Sequence, residues 1–465
     1  MIKNNIASLD ADYKFIIGES SNKRTNNIVI PDIQMIIKSQ GSFLVVDPTC
    51  HILDSMNKEL IENGYNIVLL NLRNDTESDS WNPLLLPYKY YKIGDIDKSI
   101  GLLVDISNNI FMQDNKDNDP FWDIASKDLL VGISLILFEE AVNINQINLK
   151  SVFQIASVGF ERFLSTSFLK VYFELKKNNF DYAYSYIAGT LNAPNDTRNS
   201  ILSVFYQKIR TYSMGEKFSS ILCKDSIDME ELSKAKTAFF VQFEEEKFYP
   251  SLIVFTFITQ LFQVLASERI SFRDKKWPIF SFIWDDFLLA EKYPYLEQLL
   301  YICKNVNIRL VFTISSLSAF ENRYGKYLIE TLKSHVDTFV FQNIKENISR
   351  EFLECFSKNK DDNYDITENE LLLLTSKGIQ IQSILHENTL KTIDMYHHCS
   401  INETDHHIEY FKIDEFVKMK KIIEPNNNNL INNIFDRNPE IDDLIRRIDR
   451  KIDELEKEEA DEKEQ

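Results

Sequence analysis

Glycine is scarce in this chain: 11 residues in 465, where ordinary usage of about 7% would supply roughly three times as many. Loops that wrap a phosphate are built from glycine, so the shortage bears on any nucleotide site the chain carries. Paired cysteines are also missing. Cys50, Cys223, Cys303, Cys355 and Cys399 are scattered without repeated spacing, which excludes a disulfide framework and fits reduced thiols. Basic residues are outnumbered, 52 Lys and Arg against 71 Asp and Glu, for a formal net charge of -19. That balance argues against a generic nucleic-acid coat, whose footprint is basic, but not against a narrow basic surface. The start, Met1 to Asp12, is polar and holds no apolar signal core. The strongest apolar run, Ser251 to Ala266, is shorter than the ~20 residues that span a bilayer. It also carries Gln260 and Gln263, and reads as a buried helix.

What is present is an ordinary globular composition, 44% hydrophobic and 26% charged, over a length that predicts two or three units. The first stretch alternates β-rich runs with helical patterns, the signature of a parallel α/β sheet. Strands are predicted over Tyr13–Ile17, Ser42–Val46 and Tyr65–Leu70, with helices over Thr25–Lys38, despite Pro31, and His51–Asn63. From 121 to 218 long apolar periodicities such as Leu129, Ile133, Ile136 and Leu137 predict an all-α domain with no strand. Strands resume over Ala238–Phe243, Ile279–Trp284, Ile308–Ile314 and Val336–Phe341. The α/β domain is therefore expected to be discontinuous, 1–120 and 219–425. Asn426 to Asn429 mark a linker, 426–438. A C-terminal amphipathic helix, 439–465, then sets Ile441, Ile445, Ile448, Ile452 and Leu455 on one face. That face serves equally a helix docking on its own domain and an oligomer contact.

After the first strand comes Gly18-Glu19-Ser20-Ser21-Asn22-Lys23-Arg24-Thr25. A working phosphate loop reads G-x-x-x-x-G-K-[ST]: the second glycine lets amides turn inward, the lysine reaches the β- and γ-phosphates, and the hydroxyl holds Mg²⁺. Here Gly18 and Thr25 keep the outer positions, while Lys23 replaces the glycine and Arg24 the lysine. A Cβ at a left-handed position costs roughly 1–2 kcal/mol, and a guanidinium is not a lysine point charge. Alone, the octapeptide also reads as a chance loop. The strand Ile279–Trp284 ends in Asp285-Asp286, the pattern in which one carboxylate holds Mg²⁺ and the next polarises water. The same pair also reads as a cap on the following helix.

Taken together, Ile17–Asp32, Gly41–Pro48, Trp81-Asn82-Pro83-Leu84, Asp119–Asp123, Asp196–Leu202, Thr259–Phe262, Phe282–Leu300, Ser316-Leu317-Ser318, Tyr324-Gly325-Lys326 and the tail 441–459 resemble, in order, the TraG/TraD-like coupling proteins of type IV secretion and conjugation systems. The resemblance implies a RecA-like P-loop domain with an inserted all-α domain, in hexameric rings that hydrolyse ATP and pass DNA or protein to a secretion channel. Members usually carry N-terminal transmembrane helices, so it implies here a soluble, truncated form, cytoplasmic or held at the inner membrane face through partners.

The departures fall at functional positions. Besides Lys23 and Arg24, Thr49 and Cys50 stand where the family has lysine and glycine. Lys304 and Val306 stand in the segment where it has two arginines, and Ser315 where it has glutamine. The expected site is Gly18, Lys23, Arg24 and Thr25 for ATP, Thr25 and Asp285 for Mg²⁺, and Asp285 and Asp286 for catalysis. The expected function is a coupling-protein-like component with weak or lost hydrolysis, a pseudo-ATPase. It would recruit DNA, a relaxase-type protein or an effector, as a homo-hexamer or in a mixed ring with an active paralogue. The alternative is an active hexameric motor. His397, His398, Cys399, His406 and His407 do not match a standard zinc spacing and read as a surface cluster. Trp81 and Trp122 could stack bases, but their apolar neighbours favour packing.

Overall fold

The computed structural model describes residues 13–48, 50–73, 78–111, 119–163, 165–176, 181–213, 216–224, 226–243, 249–271, 277–342, 370–375, 378–384 and 409–423. The linker 426–438, the C-terminal helix 439–465, the histidine cluster with Cys399, and Thr49 lie outside the described residues.

The strands are β1 (Tyr13–Gly18), β2 (Ser42–Val46), β3 (Asn66–Asn71), β4 (Arg162–Phe163), β5 (Thr166–Ser167), β6 (Thr237–Gln242), β7 (Phe280–Trp284), β8 (Ile308–Ile314), β9 (Thr338–Gln342), β10 (Glu370–Thr375) and β11 (Gly378–Ser383). Nine form one sheet in the order β11-β10-β9-β1-β8-β7-β2-β6-β3. It is parallel from β9 to β3, with β10 and β11 added antiparallel at one edge. All seven strands read in the sequence form. β1, β2, β6, β7 and β9 are buried at every position, as a sheet covered on both faces requires. The β10–β11 hairpin was not anticipated, because a continuous run such as Leu371 to Leu374 has no period to identify it.

One sheet face carries Ile16, Val45, Ile283, Val311 and Val340. Ile28, Ile33 and Ile36 from the helices after β1 pack on it, with Ile52, Met56 and Leu60 from the helix after β2. Every second residue of a strand faces the same way. At the carboxyl ends this face therefore presents Gly18, Thr313, Asp285, Asp47 and Gln342, and apolar packing gives way to polar groups there.

Between β3 and β6 the regular elements of the described chain are helices except for β4–β5, two residues each, in a stretch where the sequence suggested no strand; pieces that short carry no periodicity. Helices begin at Leu85–Lys92 and Ile96–Phe111, ahead of the boundary at 121 that periodicity suggests. The chain divides into two compact units, Met1–Ser157 with Asn178–Phe411, and Val158–Lys177 with Lys412–Gln465. Within the smaller unit, Tyr172 of the helix Phe168–Lys176 meets Phe416 of the helix Ile413–Ile423, ring centroids 6.1 Å apart.

The apolar run becomes the helix Tyr249–Ser271, longer than its sequence signal. Leu252–Ser271 is long and apolar enough to cross a membrane, but 78% of it is buried within the protein. Trp81 is buried, edge-on to Phe257 of that helix at 5.1 Å. Trp122 is half-buried beside Phe121.

Candidate functional site

β1 delivers Gly18 to the carboxyl edge of the sheet, between β8 and β9. Only Glu19 and Ser20 intervene before helix α1 (Ser21–Arg24). Ser20 caps it, its hydroxyl accepting from the Lys23 amide at 3.4 Å, and the Arg24 amide donates to the Ser20 carbonyl at 3.0 Å. These amides are consumed within the helix instead of being turned toward a phosphate. Positive φ among described non-glycine residues occurs at Gln40, Cys50, Asp286 and Asn307, not at Lys23. The strain expected at Lys23 is therefore absent: the segment winds into a helical turn and never enters the left-handed region.

The helix continues as a π turn, Thr25–Val29, and then as α2 (Ile30–Lys38). Pro31 accounts for the π turn. It has no amide for the carbonyl four residues back and its ring crowds that carbonyl, so the ladder widens just before it, with the Ile30 amide donating to the Thr25 carbonyl. Single π turns inside helices are uncommon and occur often at functional sites.

Arg24 is 1% exposed. Its guanidinium folds back under the loop and donates to the Gly18 carbonyl and to the Asp286 carboxylate. The Ser21 hydroxyl donates to the other oxygen of Asp286. Arg24 Nε is buried without a partner. Burial pulls the arginine below its ordinary pKa, opposed by the nearby charge of Asp285. The arginine thus occupies the space beside Gly18, its Cγ 3.5 Å from where a Cβ on that glycine would stand.

Asp285, also 1% exposed, accepts from the Thr25 hydroxyl at 2.6 Å and the Thr313 hydroxyl at 2.6 Å. Burial raises its carboxyl above the usual range, against those two hydrogen bonds and the charges of Arg24 and His51. Thr25 and Asp285 are hard oxygen donors facing one another, a pairing that suits Mg²⁺. Asp286 sits at φ 47° and its side chain caps nothing in the following 3₁₀ turn, Phe287–Leu289. Its amide donates to Thr313 Oγ1 at 2.8 Å. The capping reading of the acid pair thus fails for this residue, whose carboxylate reaches across to Arg24 and Ser21.

The structure brings Gly18, Arg24, Thr25, Asp285 and Asp286 together. Lys23 lies on the same turn, half-exposed. Gly18 has a packing reason of its own: a Cβ there would stand 2.6 Å from the Gln342 carbonyl oxygen. The sequence reading missed Ser21, Thr313 and Gln342. Thr313 and Gln342 were visible as polar residues at the carboxyl ends of mostly apolar strands; the Gln342 side-chain amide is buried with neither atom hydrogen-bonded.

The other departures are accommodated locally. Cys50 holds φ 62° just before α3 (His51–Glu62), a conformation that suits glycine. Asp47 secures that helix start, its carboxylate accepting from the Ile52 amide at 2.9 Å and the Leu53 amide at 3.3 Å. Lys304 Nζ pairs with Asp337 at 2.9 Å, and Val306 is buried. Ser315 is exposed after β8. Gly325, at φ 86°, joins two helices, while Tyr324 accepts from the Tyr293 amide at 2.9 Å. Among the described residues no cluster of His, Cys, Asp or Glu could hold a metal ion by itself.

Residues 4–358 match the family described as type IV secretory system conjugative DNA transfer. No curated protein matches by sequence. Among solved structures, the unbound bacterial conjugative coupling protein TrwBdeltaN70 aligns with a TM-score of 0.56 at 11% identity, covering 81% of this chain and 85% of that one. The plasmid coupling protein TrwB with the non-hydrolysable GTP analogue GDPNP gives 0.54 at 11% identity, covering 86% and 88%. TrwB with ADP and Mg²⁺ gives 0.53 at 11%, covering 81% and 86%. At this identity the likeness establishes the fold, an α/β sheet of the RecA-like P-loop kind.

Proposed function

We propose, because the chain belongs to the type IV secretory system conjugative DNA transfer family, that it acts as a coupling-protein-like subunit of a conjugation or secretion assembly without efficient ATP hydrolysis. Its work is then recruitment of substrate, DNA or a relaxase-type or effector protein, or construction of the assembly with secretion-channel components. A homo-hexamer or a mixed ring with an active paralogue would suit that role, on the cytoplasmic side of the membrane.

The observation that carries this reading is the placement of Arg24. Phosphoryl transfer is catalysed almost entirely by positioning and charge stabilisation, and one missing stabilising group can cost on the order of 10³-fold or more. Here the loop amides are spent within a helical turn, and the cation that should meet the phosphates is tied to Gly18 and Asp286. Thr25 and Asp285 would hold Mg²⁺, which would screen phosphate charge once a nucleotide was seated. Asp286, the candidate for polarising water, is committed to Arg24 and Ser21. TrwB was solved with ADP and Mg²⁺; this chain keeps the metal side of such a site and closes the phosphate side.

Isothermal titration with Mg-ATP, together with an ATPase assay with and without DNA, tests the proposal. The expected result is weak or no turnover and no micromolar binding. Micromolar affinity with steady, DNA-stimulated hydrolysis that Asp285→Ala abolishes would establish an active motor instead.

A further inference from the structure

The phosphate site combines two features that simple decay would not keep together. Its metal side is intact, with Thr25 and Thr313 both on Asp285 at 2.6 Å. Its phosphate side is filled by one side chain, which is held by the Gly18 carbonyl and by a single ion pair, to Asp286. We propose that Asp286 is a latch that keeps Arg24 seated over the site, so that nucleotide binding is gated and not destroyed. The inference rests on the closed-site reading above and adds how the closure is regulated.

Three observations support a reversible closure. First, Arg24 is incompletely satisfied: its Nε is buried without a partner, so the seated state is not the best a guanidinium could find. Second, Asp286 reaches Arg24 from a left-handed backbone at φ 47°, a conformation uncommon for a residue with a Cβ. Third, the turn that carries Arg24 is joined to α2 through the π turn Thr25–Val29, ahead of Pro31. Hydrogen bonds there are already out of α-helical register, so Ser21–Arg24 can rewind without disrupting the packed helix behind it. Once released, the guanidinium offers its fork of donors to phosphate oxygens, which it matches in geometry. The trigger would be any contact that draws off or neutralises the Asp286 carboxylate, such as a basic side chain from an adjoining subunit.

The test is a double-mutant cycle on Mg-ATP affinity, read with a fluorescent ATP analogue and checked by titration with ATP, with folding confirmed by thermal melts. Asp286→Asn removes the latch charge at constant size. Asp286→Gly does so while suiting the backbone, and keeps the test open should the asparagine variant misfold. Each should bind at least tenfold tighter than the wild type. In an Arg24→Ala background the same changes should add less than threefold, because the group that the latch holds has gone. Folded Asp286 variants no tighter than wild type would overturn the latch, as would an equal gain in both backgrounds, which would signify simple relief of repulsion. Wild-type hydrolysis would instead sink the closed-site reading, and the Asp286-to-wild-type affinity ratio separates that failure from this one.

Discussion

Arg24 stands where a working phosphate loop carries lysine, and the two side chains differ in both charge geometry and packing. A lysine in its place would have one point charge and no fork. The guanidinium reaches the Gly18 carbonyl with one arm and Asp286 with another. Arg24 and Asp286 are both largely buried, at 1% and 11% side-chain exposure, so removing Arg24 leaves the Asp286 carboxylate without its ion-pair partner. Arg24→Ala is expected to destabilise the protein by about 3 kcal/mol, read as a lower urea midpoint at unchanged slope. The neighbouring Asp285 makes a pH-dependent prediction. Burial raises its folded-state pKa, so between the ordinary carboxyl value of about 4 and that raised value the unfolded chain releases its proton first. Stability therefore falls as pH rises through this window, and the penalty persists above it. Asp285→Asn should flatten that part of the profile in melts taken from pH 4 upward. A steeper decline in the variant would contradict the assignment.

Among the elements, the turn after β1 and the entry to α3 differ in backbone at Lys23 and Cys50, the two positions where the loop motif and the family resemblance would place glycine. At the first, Lys23 enters no left-handed conformation, because Ser21–Arg24 is helical. At the second, Cys50 retains φ 62°, because Asp47 and the start of α3 fix the chain on both sides. The Cys50 backbone is consequently strained where Lys23 is not. Cys50→Gly should stabilise the protein by roughly 1 kcal/mol, the left-handed cost less glycine's entropy, raising the melting temperature by a few degrees or less. No gain would mean that the Cys50 side chain contributes packing equal to the strain.

Across the whole molecule, the parallel sheet was legible in the sequence because its strands are buried on both faces and read as apolar runs separated by helical periods. Gly18, Thr25, Asp285 and Asp286 were legible as site candidates because spacing relative to a strand end survives in the sequence. The β10–β11 edge was not, since Leu371 to Leu374 within β10 are apolar without alternation, nor was the helical start at Leu85. The α/β class can be read from the chain alone, as can the presence of Lys23 and Arg24 where a working phosphate loop has glycine and lysine. What Arg24 touches emerges only in the folded chain. Its partner Asp286 lies 262 residues away in the chain, and local patterning carries no information about which distant carboxylate a buried guanidinium will meet. That contact depends on β1 and β7 lying in one sheet on either side of β8, a register settled by packing and not by either segment alone.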